Sequence, residues 1–511
     1  MMGRGGPWPA GADYKIPIVS AVAAIYVSEE IEMGNELKFY IDGKWVDPVE
    51  PGKTIAVINP ATEQEITKIA AGTAADVDAA VRVAHRAFES FSQTTREYRI
   101  ELLAKMIAAY ERRMPDIAAA ITLEMGAPKA LSEALQAPIG LYHLSTTLEV
   151  LKNYKFEEQA GTSYIVKEPI GVCAMIAPWN WPMNQVLCKV APALAAGCTM
   201  VLKPSQLSPL SALIFAEIVH EAGVPAGVFN MINGAGSAIG EAMAKHPLVD
   251  MVSITGSTTA GAAVAHAAAD SIKRVSQELG GKSANILLDD VDLEAAVTEG
   301  VQSCMRNSGQ TCTAPTRMLV PESLYQKAVA IAAKAAQEVA VGDPNAATTF
   351  MGPVSGKKQF DTVARYIDIG ISEGAKVIAG GLGRPQGLEQ GFYVKPTVFA
   401  DVTNDMRIAQ EEIFGPVLVM IPYKTEDEAV AIANASDFGL SGYVQSSNIE
   451  RARKVAKRMR TGMVCLNGAG PDLGAPFGGY KQSGNGREWG KYGLEDYLET
   501  KAVMGFVPAA Q

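Results

Sequence analysis

Hydrophobic positions along this chain follow two alternating patterns, short unbroken apolar runs and longer stretches in which apolar residues return every three to four positions. The first signal is a hairpin: Lys38–Ile41 and Lys44–Val46 flank Asp42-Gly43, a pair suited to a type I′ turn. Two amphipathic helices are predicted next, over Ala75–Phe91 and Thr94–Arg113, with packing faces and no evident chemistry. Buried strands are predicted at Gly171–Ala177, Thr199–Leu202, Val228–Ile232 and Asp250–Ile254. Helices follow them after the Pro182 break, after Ser208-Pro209 acting as N-cap and N1, and over Ser237–Lys245 and Thr258–Ala268. Such alternation predicts a parallel sheet with helices on both faces. Ala284–Leu288, Asp292–Ser303 and Arg317–Val320 restart the rhythm, which predicts a second α/β unit after Gly280. No repeat of fixed period and no low-complexity linker divides the chain.

Composition narrows the function classes. The 511 residues are 48% hydrophobic and 20% charged, enough apolar matter for a core, which excludes a disordered or collagen-like chain. Forty-five basic residues against 55 acidic give a net charge of −10, so no basic field attracts nucleic acid, and any anionic ligand must be held by local groups. Ile16–Val27, behind Arg4 and Lys15, superficially resembles a short secretory segment. Acidic Glu29, Glu30 and Glu32 follow it at once without a small-residue cleavage pattern, and the run is too short to span a bilayer. It is expected to be an extension outside the fold, upstream of a start at Met33, with no membrane partner. Six cysteines, at 173, 188, 198, 304, 312 and 465, form no CxxC pair, and the five histidines show no ligand spacing, so no metal site is expected. Sparse unpaired thiols fit a reducing, cytoplasmic setting and leave each one free for chemistry.

Three loops follow predicted strands and open helices. Asn233-Gly234-Ala235-Gly236-Ser237-Ala238-Ile239-Gly240 departs by one residue from the GxGxxG dinucleotide fingerprint, and turn glycines serving packing explain it about as well. Thr255-Gly256-Ser257 places a hydroxyl beside free helix N–H groups, a setting that favours phosphate. Lys203 lies in Lys203-Pro204-Ser205-Gln206 at the end of a third strand. Together they mark the carboxyl edge where α/β sheets bind dinucleotides.

A second set of residues suggests acyl chemistry. Cys312 sits in Asn307-Ser308-Gly309-Gln310-Thr311-Cys312-Thr313-Ala314, whose small polar neighbours are unlike core, whereas Cys173 and Cys198 lie in or beside apolar strands. A thiol so placed is a candidate nucleophile if a base or field lets it ionise. Glu278, after the strand Arg274–Ser276 and before two glycines, is either a base or a capping carboxylate. Asn180, between Trp179 and Trp181, is either an oxyanion donor or a turn residue.

As a set, from about Lys38 to the end, the motifs resemble the NAD(P)-dependent aldehyde dehydrogenase superfamily. The resemblance rests on Pro178-Trp179-Asn180, Lys203-Pro204-Ser205, Thr255-Gly256-Ser257, Glu278-Leu279-Gly280-Gly281-Lys282, Gly309-Gln310-x-Cys312 and Glu411-Glu412-Ile413-Phe414-Gly415-Pro416, in the family's order. Pro476-Phe477-Gly478-Gly479-x-Lys481-x-Ser483-Gly484 is a seventh. The resemblance implies that Cys312 attacks the aldehyde, with Asn180 and the Cys312 N–H stabilising the oxyanion. After hydride transfer to the cofactor, Glu278 activates the water that hydrolyses the thioester, and Lys189 and Glu488 relay protons. Glu412 and Phe414 would position the nicotinamide ribose and ring. Ile176, Trp179, Lys203, Gly236, Gly240, Gly256, Ser257 and Leu279 would line the dinucleotide, NAD or NADP. The implied fold is two doubly wound parallel α/β domains, one Rossmann-like for the cofactor and one catalytic, with a small β bridge for oligomers. Its expected parts are an extension over 1–34, a dinucleotide domain over 35–148 and 168–279, a bridge over 149–167 and 483–511, and a catalytic domain over 280–482. Glu149–Lys167 and Lys501–Pro508 supply the bridge, with strands at Thr162–Lys167 and Ala502–Val507, and the chain is expected to be a homodimer or homotetramer.

Two positions depart from the family's pattern. Gln206 stands where many members carry a Glu that holds the adenosine ribose and repels a 2′-phosphate, which implies that NADP is tolerated with NAD still somewhat favoured. Ile254 replaces a frequent Phe, a change expected to affect packing only. Met183–Leu187, Cys304–Ser308, Thr311, Thr313 and Gly468–Leu473 are expected along the substrate channel, mixed apolar and small polar. That lining favours an aliphatic or aryl-aliphatic catabolic aldehyde, with Arg306 the one basic residue nearby. Rival readings are a semialdehyde dehydrogenase of a degradation pathway, a CoA-acylating relative, and a catalytically idle structural member. Glu278 argues against the CoA reading, and the joint presence of thiol, base and amide argues against the idle one.

Overall fold

The computed structural model describes residues 34–506, so Ile16–Val27, Met33 and the end of the expected bridge at Pro508 lie outside the described residues. The opening hairpin pairs Phe39–Ile41 with Lys44–Val46, and Asp42 and Gly43 turn it with φ of 57° and 73°, the left-handed pair that a type I′ turn requires. It forms one edge of an eight-stranded sheet. From that edge the order is Lys44–Val46, Phe39–Ile41, Phe229–Met231, Thr199–Lys203, Val172–Ile176, Met251–Thr255, Arg274–Glu278 and Gly484–Asn485. The five strands from Phe229–Met231 to Arg274–Glu278 are parallel, and antiparallel partners close both edges. Chain order reverses at Val172–Ile176: the next strands add on one side, the later ones on the other. That reversal opens a crevice at the carboxyl ends, where such sheets take ligands.

A second, seven-stranded sheet runs Lys376–Ala379, Thr397–Ala400, Val417–Tyr423, Arg317–Pro321, Ala284–Leu287, Ser441–Gln445 and Met463–Leu466, parallel apart from its first pair. Both sheets are α/β layers whose central strands are buried on both faces, as their continuous apolar runs demand. A third sheet pairs Ser163–Pro169 with Glu157–Ala160 and with Leu498–Val503, all antiparallel. Its last strand begins at Leu498, before the expected Ala502. The residues just upstream join other parts of the fold: Gly484–Asn485 completes the first sheet, and helix Gly490–Asp496 packs on helices Pro138–Asn153 and Pro182–Ala196. Among the described residues no helix is long and apolar enough to cross a membrane.

Three helix boundaries differ from the sequence expectation. The second helix spans Arg96–Met125, running through Pro115 to a left-handed cap at Gly126 rather than ending at Arg113. The helix after Ser208-Pro209 begins at Leu210, and Ser208 is not its cap; the Ser208 hydroxyl has no hydrogen-bond partner among the described residues. Its first amides instead donate to the fully buried Glu124 carboxylate, Leu210 N at 2.5 Å and Ser211 N at 3.1 Å. Burial pushes the Glu124 carboxyl up to about 7. The glycine loop does not enter a helix at Ser237, because Gly236–Gly240 winds as a π turn before Glu241–Lys245.

Candidate active site

Helix Leu293–Met305 ends in a turn that aims the chain at Cys312. Three successive residues take left-handed backbone there: Asn307 at φ 55°, Ser308 at 56° and Gly309 at 70°. For a non-glycine residue that conformation costs about 1–3 kcal/mol unless its surroundings enforce it. Here they do. Asn307 donates its amide to the Asn180 carbonyl at 2.9 Å and to the Gln310 carbonyl at 3.3 Å, and accepts from Gln136 Nε2 at 3.1 Å. Gln136 also reaches the Asn180 carbonyl at 3.2 Å. The Ser308 hydroxyl donates to the Gly352 carbonyl at 2.8 Å, and Gln310 Oε1 accepts from Ser355 N at 2.8 Å. At Gly309 a side chain would run into the Gly415 carbonyl. Gln136 closes a π turn over Ser132–Gln136, a helical irregularity that recurs at functional sites.

This network brings the Asn180 amide to the nucleophile segment, where Asn180 Nδ2 donates to the Gln310 carbonyl at 3.0 Å. Cys312 itself is half-buried and lines a cavity of about 830 Å³. Burial and the carboxylates of Glu412, Glu278 and Glu488 push its thiol far above the usual range, so the protein alone keeps it neutral. Glu278 ends its strand, buried, with neither carboxylate oxygen hydrogen-bonded among the described residues. Burial, then Glu488, hold its carboxyl well above the ordinary value, while Lys189 and Arg487 pull it down. Gly478 passes against it; a Cβ there would lie 2.7 Å from Glu278 Oε1.

Lys189 and Glu488 form a buried ion pair beside Glu278. Lys189 Nζ also donates to Ser253 Oγ at 3.1 Å, and Glu488 Oε2 accepts from the Cys188 thiol at 3.2 Å. Burial lowers the Lys189 ammonium, but Glu488, Cys188 and Glu278 outweigh it and hold it above its usual value.

On the other side of Glu278 lie the dinucleotide candidates. Ile176 pairs with Lys203 and with Ile254 across parallel strands, so the three strand ends open to one side. Lys203 is buried, pulled down to about 8 by that burial, and its Nζ donates to the Pro204 carbonyl at 2.7 Å. Gly236 is exposed beside it, where a Cβ would lie 3.8 Å from Lys203 Cε, and Gly240 is buried against Ile176. Ser257 caps helix Thr258–Ala269, accepting from Ala260 N at 3.2 Å, and Gly256 N donates to the Glu278 carbonyl at 3.0 Å. Leu279 is buried against Gly261, and Gln206 is half-buried. Trp179 and Phe414 meet edge-to-face at 5.4 Å, and Glu412 accepts from Gly281 N at 2.9 Å, its carboxyl raised to about 7 by burial. The Thr255 hydroxyl and the whole Asn233 amide are buried without a hydrogen-bond partner among the described residues. A buried lysine, a free helix N-terminus and unpartnered hydroxyl and amide groups at one crevice fit an anionic dinucleotide.

Arg306 lines the mouth of the cavity, exposed, with Glu299 nearby. Thr311, Thr313, Gly468 and Pro471 line it as expected, joined by Trp181, Tyr443, Phe477 and Trp489, whereas Met183, Leu187, Cys304 and Ser308, expected along it, are buried outside its lining. Sequence reasoning missed Gln136, Tyr443 and Trp489; only the polar segment around Asn307 carried a local signal.

Residues 45–503 match the family model described as "Aldehyde dehydrogenase family". The chain is 56% identical over 475 residues to a Pseudomonas 3-succinoylsemialdehyde-pyridine dehydrogenase, covering 93% of this chain and 99% of that one. It superposes on aldehyde dehydrogenase C from Pseudomonas syringae, complexed with NAD+ and octanal, at TM-score 0.92 and 53% identity, covering 93% and 98%. A Staphylococcus aureus betaine aldehyde dehydrogenase, also complexed with NAD+, gives TM-score 0.90 at 37% identity, covering 93% and 97%.

Proposed function

Because this chain belongs to the aldehyde dehydrogenase family, oxidoreductases that act on aldehydes with NAD(P), we propose that it converts an aliphatic or aryl-aliphatic aldehyde to the carboxylic acid through Cys312. The Cys312 sulfur, as thiolate, bonds to the aldehyde carbon, and the carbonyl electron pair moves to oxygen. The Asn180 amide and the Cys312 N–H donate to that oxyanion, with the Asn307 and Gln136 network fixing both donors before charge develops. When bound at the Lys203, Ser257, Glu412 and Phe414 positions, the oxidised dinucleotide supplies the hydride acceptor and a positive ring to offset the carboxylates around Cys312. Glu278, in its carboxylate form, takes a proton from water, whose oxygen bonds to the thioester carbon as the carbon–sulfur bond breaks. The Lys189–Glu488 pair returns that proton from Glu278 towards solvent.

One observation supports the hydrolytic reading: Glu278 is buried near the thiol, and among the described residues neither of its oxygens has a hydrogen-bond partner. Acid formation in the absence of CoA supports it, and acyl-CoA as the obligatory product overturns it. A Cys312→Ala variant that matched the unaltered protein in aldehyde-dependent NAD(P)H formation would overturn the nucleophile assignment. Arg306 at the cavity mouth supports a second reading, a semialdehyde with an anionic tail. A kcat/KM for succinic semialdehyde above that for hexanal, lost in Arg306→Met, would select it. The half-exposed third sheet, with every residue of Glu157–Ala160 exposed, supports an oligomer joined there; light scattering of a variant truncated before Leu498 tests it.

A further inference from the structure

We propose that the substrate cavity is built for an aldehyde whose tail carries a neutral hydrogen-bond acceptor, a ketone oxygen or an aromatic ring nitrogen, received by the side-chain amides of Asn184 and Gln185. The proposal rests on the aldehyde-oxidising reading of Cys312, because both amides line the same cavity as that thiol. They are neighbours in helix Pro182–Ala196, whose first turn follows the Trp179-Asn180-Trp181 segment.

The polar groups on this wall divide into employed and unemployed. Trp181 Nε1 donates to Thr311 Oγ1 at 2.9 Å, and the Tyr443 hydroxyl donates to the Thr313 carbonyl at 2.7 Å, so both donors are used within the wall. Gln185 is 3% exposed and lines the cavity, and its side-chain amide has no hydrogen-bond partner among the described residues. An amide that opens onto the cavity without a protein partner is free to donate to a ligand acceptor. Asn184 is oriented: its Oδ1 faces His143 Nε2 at 2.8 Å, which turns Nδ2 away from His143. His143 is 3% exposed and packs on Trp489, and burial pulls its imidazole down to about 4. It is therefore neutral, with Nε2 as the donor in this pair. Asn184 Nδ2 has no protein acceptor among the described residues.

Two amide donors without protein acceptors thus line the cavity beside the apolar side chains of Leu135, Ile139, Trp181, Phe477 and Trp489, while Glu299 and Arg306 carry charge elsewhere on its wall. An alkyl tail packs on the apolar part of the wall but offers neither amide an acceptor. A tail with one neutral acceptor satisfies them without the desolvation cost of a charge. His143 is a positioning residue for Asn184.

The test compares octanal with eight-carbon aldehydes bearing a ketone at successive carbons, and with pyridyl and phenyl aldehydes of matched length. The wild-type enzyme is expected to give, at one or more ketone positions or in the pyridyl-to-phenyl comparison, a kcat/KM at least tenfold above the apolar partner. The gain should appear mainly in KM. Gln185→Leu, or Gln185→Met if the first folds poorly, brings that ratio to within about threefold of one. His143→Leu lowers the ratio, and His143→Gln, which keeps a donor towards Asn184, restores it; a purely structural role for His143 would change both substrates alike. Ratios near one for every ketone position and for the pyridyl pair, or ratios unmoved by Gln185→Leu and Gln185→Met, overturn the proposal. Failure to oxidise octanal and every other aldehyde would instead overturn the underlying reading of Cys312.

Discussion

Replacing Lys189 by Met removes one half of the buried pair behind Glu278. In the wild type, Glu488 Oε1 is paired with the ammonium and Oε2 accepts from the Cys188 thiol. Lys189→Met leaves the Glu488 charge without its partner at 5% exposure, and leaves the Ser253 hydroxyl without its donor. Breaking such a pair costs about 3–5 kcal/mol of stability. The functional effect has a definite sign. Glu278 already binds its proton more tightly than an ordinary carboxyl, through burial first and Glu488 second, and Lys189 is the leading opposing influence. Removing Lys189 therefore raises it further, so the carboxylate needed to activate water is reached only at higher pH. The acid limb of the kcat profile should move up by on the order of one pH unit, with acyl-enzyme accumulating below it. The double variant Lys189→Met/Glu488→Leu separates the two effects. Replacing the whole pair with apolar groups recovers most of the stability, because no buried charge is stranded. It also removes Glu488, the chief charge raising Glu278, so its acid limb should lie below that of Lys189→Met. Thermal unfolding, a pH series of kcat and quenched-flow measurement of acyl-enzyme supply the data. A Lys189→Met profile that overlays the wild type, in a protein that remains folded, refutes the reasoning.

Further expectations concern positions away from that pair. Asn307→Ala loses three hydrogen bonds and retains a positive φ, so stability falls by about 2–4 kcal/mol in urea unfolding and kcat falls with it; unchanged values would mean that the network does not hold the nucleophile turn. Glu124, raised to about 7, binds a proton in the folded state that the unfolded chain has released above about 4.5. Its contribution is therefore fully present below that value and is lost as pH rises through 7. Relative to wild type, Glu124→Gln should gain stability on the order of 3 kcal/mol between pH 4.5 and 8. A difference between the two proteins that stays flat over that interval would contradict this. Gln206→Glu should lower kcat/KM for NADP tenfold or more while changing NAD little. A wild-type NADP value thousands of times below that for NAD would show that Gln206 does not relax the choice of cofactor.

Much of this molecule could be read locally. The parallel strands around the cofactor crevice were evident as apolar runs, because a strand buried on both faces needs no alternation. The Asp42-Gly43 turn was evident because only a few residue types tolerate its backbone. Cys312 and Glu278 stood out because their neighbours are polar or glycine where packing would favour bulk. What escaped depended on partners distant in sequence. Ser208 has the local signature of a cap, yet the helix amides are taken by Glu124 from 86 residues away. Gln136 reaches Asn307 across 171 residues, and nothing around it announces the contact. Two consecutive left-handed residues at Asn307 and Ser308 have no propensity signal, since tertiary hydrogen bonds impose that conformation. Helix Arg96–Met125 continues through Pro115 while burying Ile117, Ile121 and Met125, showing packing outweighing a local break.

The central claim, that Cys312 carries the acyl group and Glu278 releases it, has a direct test in the Glu278→Gln variant. Mixed with octanal and NAD+, quenched in acid and digested, that protein should carry an octanoyl group on the peptide containing Cys312, formed with about one equivalent of NADH. An acyl group on another cysteine, or wild-type rates of octanoate release from the variant with no trapped adduct, would contradict the account.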